Sequence, residues 1–129
     1  MKVLLDTHAF LWLVSTPSNL DSAALSVLSG AEINLWVSAG SAWEIGIKTR
    51  LGRIDGETLL STWAEVVADM SASELPIDAQ DAILAARLPW EHRDPFDRVI
   101  VAQALRRNLT IATRDSRMLQ ATLTPTLKV

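Results

Sequence analysis

Four acidic residues occupy positions at which carboxylates could do chemistry: Asp6, Glu44, Asp97 and Asp115. Asp6 and Asp115 each follow a short, largely apolar run, residues 3–5 and 111–113, that is typical of a buried strand. Ligands of an open parallel sheet bind beyond the carboxyl ends of its strands. The two aspartates are therefore candidates for a site at that edge of a sheet.

Helical spacing turns the other two acids toward apolar neighbours. Asp97 aligns with Ile100 and Ala104 on a helix face that we expect to be buried, and Glu44 has Ile47 three residues later. Carboxylates that share a dry cleft repel one another and become protonated unless a cation neutralises them. Hard oxygen ligands select Mg²⁺ or Mn²⁺, and ions held in this way typically act on phosphate esters. The four acids together favour a metal-dependent hydrolase that acts on a phosphate substrate.

Each acid also has a purely structural interpretation. Asp6 and Asp115 can cap the helices that follow them. Asp97 can be the acid favoured at the third position of its helix, and Glu44 can pair with Lys48 one turn later. The residue types alone leave both interpretations open.

Composition excludes several other chemistries. The 129 residues contain no Cys and two His, which rules out a thiol nucleophile and disfavours a zinc site. Neither a dinucleotide-binding nor a P-loop glycine motif is present. The length predicts a single domain over residues 1–129. No stretch reads as a signal peptide or membrane span, so we expect a cytoplasmic protein without membrane contact.

The positive charge is concentrated late in the chain. The formal net charge of −3 disfavours a nucleic-acid binder, which needs cations facing the phosphates. Seven arginines nevertheless lie between residues 87 and 117, namely Arg87, Arg93, Arg98, Arg106, Arg107, Arg114 and Arg117. They indicate either a solvated helix face or a surface that binds phosphate.

Strand and helix patterns alternate along the chain. Strands are predicted at residues 2–5, 33–38 and 109–113, with edge strands at 74–77 and 126–129. A first helix is predicted to end near residue 15, and further helices are predicted over 21–28, 41–51, 56–70, 78–88 and 95–107. This alternation predicts an α/β fold with a parallel sheet of four to five strands covered on both faces.

Four short motifs in this order resemble the PIN-domain ribonucleases, in particular the VapC-type toxins of bacterial type II toxin–antitoxin pairs. The motifs are VLLDTH at 3–8, SAWEI at 41–45, HRDPFDR at 92–98 and TRD at 113–115. The resemblance extends from about residue 2 to 120. It implies a PIN-like three-layer α/β/α domain in which the first and fourth strands are neighbours.

The resemblance also implies a function. A PIN domain of this type is a metal-dependent endoribonuclease, and its acidic quartet falls on Asp6, Glu44, Asp97 and Asp115. These four would be the catalytic residues and the ligands of Mg²⁺ or Mn²⁺. The implied partners are the RNA substrate, a cognate antitoxin and a second copy of the chain.

The resemblance and the charge pattern nominate further residues for the RNA. These candidates are Arg93, Arg98, Arg114 and His8. For His92 we expect a position on the surface, and for Thr113 a role in capping or strand packing. The five Trp side chains, residues 12, 36, 43, 63 and 90, are expected to pack in the core or in a dimer interface.

Two alternatives to a ribonuclease stay open. One is a catalytically silent PIN fold that only binds a partner. The other is a receiver-like domain that accepts a phosphoryl group, although such domains need paired acids after the first strand and a late lysine. Here Asp6 is followed by Thr7 and His8, and the late strand is followed by Arg114.

Overall fold

The fold is built around a five-stranded sheet in which all neighbouring strands are parallel. The computed structural model describes residues 1–129. The strand order is β3-β2-β1-β4-β5, which places β1 at the centre. The strands are β1 (Lys2–Leu5), β2 (Asn34–Ser38), β3 (Ala72–Leu75), β4 (Thr110–Thr113) and β5 (Thr126–Lys128).

Eight helices connect these strands. They are α1 (Thr7–Ser15), α2 (Ser22–Leu28), α3 (Ala39–Arg50), α4 (Glu57–Ser61), α5 (Trp63–Asp69), α6 (Ala79–Arg87), α7 (Pro95–Arg107) and α8 (Ser116–Ala121). None of them combines the length and apolar character that crossing a bilayer requires.

Two apolar clusters fill the spaces on the opposite faces of the sheet. Side chains alternate along a strand, so Val3 and Leu5 contribute to one cluster while Leu4 contributes to the other. The first cluster includes residues of α1 and α2, and the second includes residues of α7. The predicted α/β/α arrangement with a parallel central sheet is confirmed.

A buried ion network joins α6 to α7. Asp81 has no solvent exposure, and Arg106 and Arg107 donate to it at 2.7 and 2.8 Å. Asp78, the residue before α6, accepts the backbone N–H of Asp81 at 2.8 Å in a capping box. Two of the seven late arginines are therefore held by these aspartates.

Three element predictions were wrong in detail. The single helix expected over 56–70 is two helices, because the backbone at Thr62 leaves helical geometry, with φ −116° and ψ 23°. For helix α8, six residues long, the sequence pattern indicates only Asp115 as a possible cap and gives no predicted range. The edge strand near 74–77 ends at Leu75, because Pro76 has no N–H for the ladder.

Candidate active site

The two aspartates that follow strands meet at the carboxyl edge of the sheet. Strands β1 and β4 are paired neighbours, so Asp6 and Asp115 leave the sheet side by side. Each caps the next helix: Asp6 Oδ1 accepts from the N–H of Ala9 at 2.8 Å, and Asp115 Oδ1 accepts from the N–H of Arg117 at 2.8 Å. Capping uses one oxygen of each carboxylate, so the structural and chemical interpretations are compatible.

Thr113 connects these two acids. Its hydroxyl donates to Asp6 Oδ2 and accepts the backbone N–H of Asp115 at 3.0 Å. Thr113 is fully buried, and Asp6 retains only 5% exposure. The hydroxyl thus sets the position of the Asp6 carboxylate, a role that the strand pattern did not reveal.

Glu44 reaches the same edge from α3, which begins directly after β2. Both sequence interpretations of Glu44 hold, since its side chain is buried and Oε2 also lies 2.7 Å from Lys48 Nζ. The other oxygen, Oε1, is buried without any hydrogen-bond partner. A buried carboxylate oxygen with no donor is costly, and a cation in the adjacent cleft would remove that cost.

Asp97 lies in the first turn of α7. The helix begins at Pro95 after Asp94, whose Oδ1 accepts the N–H groups of Phe96 and Asp97 at 2.9 and 3.1 Å. The Asp97 side chain does not complete a capping box. Its Oδ2 lies 2.6 Å from His92 Nε2 instead, and its side chain is 20% exposed.

The four acids line one cleft of about 360 Å³. Its wall also contains Asp94, three cationic side chains and both histidines. The complete lining is Asp6, Thr7, His8, Trp12, Glu44, Lys48, His92, Asp94, Asp97, Arg114, Asp115 and Arg117. Sequence elements more than 100 residues apart therefore form one strongly polar pocket.

The cleft disfavours the ionised form of two of its carboxyl groups. Burial raises the pKa of Asp6, and the charge of Asp115 adds to the rise. Burial, opposed by the hydrogen bond with His92, raises the pKa of Asp97 to about 6, and the charges of Asp94 and Asp115 contribute. A bound cation would favour the ionised form of both groups.

The donor set fits a hard divalent cation. It consists of carboxylate oxygens without a thiolate, which is the chemistry that Mg²⁺ and Mn²⁺ prefer. No group of three or more His, Asp and Glu side chains forms a ready-made metal-binding cluster. Mg²⁺ usually keeps several of its water molecules, so ligands that act through water need not converge on one point.

Only two of the four candidate RNA-binding residues line the cleft. The His8 ring is exposed and lies against Trp12, with 5.6 Å between ring centroids. The guanidinium of Arg114 lies over the Trp12 ring, 4.5 Å from its centroid, and donates to the carbonyls of Asn19 and Val129. Arg93 is exposed outside the cleft.

Arg98 is committed to the protein itself. All five of its N–H groups point at main-chain carbonyls, which belong to Ala85, Ala86, Leu88, Trp90 and His92. The guanidinium thereby holds the segment between α6 and α7 and has no donor left for phosphate. We do not retain Arg98 as an RNA contact.

Three further side chains belong to the cleft. Lys48 and Arg117 bring positive charge. In the sequence, Arg117 belongs to the late arginines and Lys48 lies one turn after Glu44. His92 was expected at the surface, yet its side chain is only 7% exposed and contacts Asp97. That expectation was wrong because Trp90 covers the ring, with 4.8 Å between centroids.

The sequence matches a protein family and a ribonuclease over most of its length. The family model described as PIN domain matches residues 3–122. Ribonuclease VapC22 of Mycobacterium tuberculosis is 30% identical over 117 residues, which are 90% of this chain and 88% of that protein.

Two solved structures illustrate the similarity of fold. VapBC2 from Rickettsia felis, bound to a DNA fragment from the promoter, aligns with a TM-score of 0.72 at 12% identity, covering 99% of this chain and 98% of that chain. VapBC-5 from Mycobacterium tuberculosis, a member of the VapBC family of toxin–antitoxin systems, aligns with a TM-score of 0.66 at 22% identity over the same shares.

Proposed function

Because this chain belongs to the PIN domain family, we propose that it is an endoribonuclease that hydrolyses phosphodiester bonds of RNA with a divalent metal ion. The relative that is 30% identical is named a ribonuclease, which supports this activity. Membership of this family removes the receiver-like alternative considered above. The silent PIN fold remains an outcome of the experiment below.

One observation carries the proposal. Four carboxylates from separate parts of the chain line one cleft at the carboxyl edge of a parallel sheet. Within it, the pKa values of Asp6 and Asp97 are raised, and one oxygen of Glu44 is buried without a partner. Burial is the main cause of both raised pKa values, and it makes a neutralising cation favourable in this cleft.

The oxygen lone pairs that are not used in hydrogen bonds within the protein determine the proposed roles. Asp6, Glu44, Asp97 and Asp115 hold the ion, directly or through water, and we propose Mg²⁺ or Mn²⁺. When bound, the ion supplies Lewis-acid stabilisation of the charge that develops on the phosphoryl oxygens. Asp115 Oδ2 makes no hydrogen bond within the protein, so it is able to accept one from the attacking water.

Positive side chains at the rim complete the substrate site. Lys48, Arg114 and Arg117 line the cleft and provide charge for the phosphates on either side of the scissile bond. The remaining side chains proposed to contact RNA are those of His8 and Arg93, both of which are exposed. The net charge of −3 is compatible with this function because each bound divalent ion adds two positive charges at the cleft.

We further propose that the chain is the toxin of a toxin–antitoxin pair and acts in the cytoplasm as a single domain over residues 1–129. The solved structures of similar fold include a member of the VapBC family of toxin–antitoxin systems. The proposed protein partner is the cognate antitoxin, which would cover the acidic cleft.

An apolar groove beside the cleft supports a homodimer. The groove measures about 310 Å³ and is lined by Trp43, Ile77, Phe96 and Val99 among others. Trp43 is 64% exposed and touches Phe96 edge-on, 5.2 Å between centroids. Such an exposed aromatic in an apolar groove is typical of an interface, and we propose a second copy of the chain as the occupant.

The activity is tested by incubating purified, antitoxin-free protein with a mixed RNA substrate and Mn²⁺. Wild type is expected to cleave, and EDTA or the substitution Asp97→Asn is expected to abolish cleavage. Asp69→Asn is a matched control, because Asp69 is an exposed carboxylate on α5 that makes no ion pair or side-chain hydrogen bond. It should cleave like wild type.

Two results would contradict the proposal. Cleavage that survives both EDTA and Asp97→Asn would mean that a contaminant or another site is responsible. Absence of Mn²⁺ binding to the wild-type protein, measured by calorimetry, would favour the silent PIN fold.

A further inference from the structure

His92 has a defined partner on each ring nitrogen. Its Nε2 lies 2.6 Å from Asp97 Oδ2, and its Nδ1 lies 3.3 Å from Arg117 Nη1. The ring also packs against Trp90, and its side chain retains only 7% exposure. Connecting segments normally lie on the surface, so a buried ring with a partner on each nitrogen is unusual there.

The partners determine where the ring proton is. A guanidinium contains donors only, so Nδ1 must present its lone pair to Arg117. A neutral imidazole then carries its single proton on Nε2, which donates to Asp97. Arg117 thus selects the tautomer that can bind the carboxylate.

The backbone of His92 is also held. Arg98 Nη1 donates to the His92 carbonyl at 2.9 Å and to the Trp90 carbonyl at 2.7 Å. Arg98 itself is carried by α7, one residue after Asp97. The helix that contains the acid therefore also anchors the segment that positions the acid.

The hydrogen bond leaves one side of Asp97 available. Oδ2 is taken by His92, whereas Oδ1 makes no hydrogen bond and is not among the buried polar atoms without a partner. Asp97 lines the cleft, so Oδ1 is the oxygen presented there. Without the Nε2–H donor, the carboxylate could rotate about its side-chain bonds.

We propose that His92 is a positioning residue that orients Asp97 for the divalent cation through Nε2–H, with Arg117 selecting the tautomer. This role rests on the proposed metal-dependent function of the cleft. Partners that hydrogen-bond a ligating carboxylate typically change metal affinity by 10–100-fold when removed. His92 is expected to act by that route and to make no contact with substrate.

The first test measures Mn²⁺ binding by calorimetry in three proteins. His92→Phe keeps an aromatic ring against Trp90 but has no donor, and we expect Mn²⁺ affinity to fall by about 10–100-fold. His92→Gln places an amide N–H near the position of Nε2, and we expect affinity within about threefold of wild type. Recovery in the glutamine variant separates orientation of Asp97 from simple packing.

The second test reads the tautomer in the metal-free protein. The chain has only two histidines, so long-range ¹H–¹⁵N spectra contain two rings, and His8→Asn identifies which is which. We expect His92 to carry its proton on Nε2 and to have an unprotonated Nδ1. This measurement also decides the matter if His92→Phe fails to fold.

The outcomes are distinguishable from failure of the proposed function. Wild-type affinity in His92→Phe, or a proton on Nδ1 of His92, overturns the positioning role while leaving the metal site intact. If the wild-type protein binds no Mn²⁺ at all, the proposed function fails and the positioning role falls with it.

Discussion

Substituting Asp97 by Asn is expected to stabilise the metal-free protein while removing its activity. Burial raises the pKa of this carboxyl to about 6, against 3.8 for an unperturbed aspartate. The folded state therefore disfavours the ionised form more than the unfolded chain does. Asparagine has nearly the same shape and carries no charge, so it removes this cost.

The size of the effect follows from the pKa. A rise from 3.8 to about 6, at 1.36 kcal/mol per pKa unit, corresponds to about 3 kcal/mol of stability lost above pH 7. The hydrogen bond with His92 lowers this pKa, so its contribution is already contained in the value of about 6. We expect a net stabilisation of about 3 kcal/mol at pH 7.5.

The sign of the pH dependence is specific. A raised folded-state pKa means that the charged carboxylate destabilises the fold at high pH, and that this destabilisation disappears as pH falls from about 6 through 3.8. The advantage of the variant over wild type should therefore be full at pH 7.5 and vanish near pH 3.5. Urea unfolding in EDTA at several pH values measures it, with Asp69→Asn as the control variant.

The reasoning is refuted if Asp97→Asn is less stable than wild type at pH 7.5 in EDTA. It is also refuted if the difference between the two proteins does not change with pH. Either result would mean that His92 compensates the charge of Asp97 completely, so that this carboxylate gives no argument for a cation in the cleft.

Three further substitutions test other parts of the structure. Asp81→Asn should cost about 2 kcal/mol at pH 7, because Arg107 and Arg106 overcome the effect of burial and lower the Asp81 pKa to about 2; unfolding titrations should show this contribution disappear as pH falls from 3.8 to about 2. Arg98→Lys should destabilise the fold by about 2–3 kcal/mol, since an ammonium cannot reach five carbonyls. Amide hydrogen exchange should rise first in residues 88–93, and unchanged exchange would contradict the role of Arg98 in holding the segment between α6 and α7. Trp43→Glu should convert a dimer into a monomer with an unchanged far-ultraviolet spectrum, as measured by light scattering; a wild-type protein that is already monomeric would argue against the proposed interface.

Local pattern was sufficient for most elements of the fold. The bounded apolar runs of β1, β2 and β4 and the start of α7 at Asp94 and Pro95 appear where the sequence predicts them. Such signals depend on residues that are neighbours in the chain, namely alternation, capping and the missing N–H of proline. The break at Thr62 was not predicted, because nothing in the local pattern of residues 56–70 distinguishes one helix from two.

The acids of the candidate site were also accessible to sequence reasoning, because their positions carry information. Asp6 and Asp115 follow strands, and the face shared with apolar residues marks Glu44 and Asp97. In the structure all four line the cleft. Capping does not exclude a chemical role for these acids, since a cap uses one of the two oxygens of a carboxylate.

Only the tertiary structure decided what the basic residues do. Seven arginines that are close in sequence go to different places: Arg98 to the main chain, Arg106 and Arg107 to Asp81, and Arg117 to the cleft. A long side chain reaches whichever acceptor folding brings near, and sequence spacing does not encode that distance. The same holds for His92, whose partners lie five and 25 residues away. The partners of the charged side chains thus depend on contacts across the fold. The strands, the helix caps and the acids at the carboxyl edge of the sheet can be predicted from the local sequence.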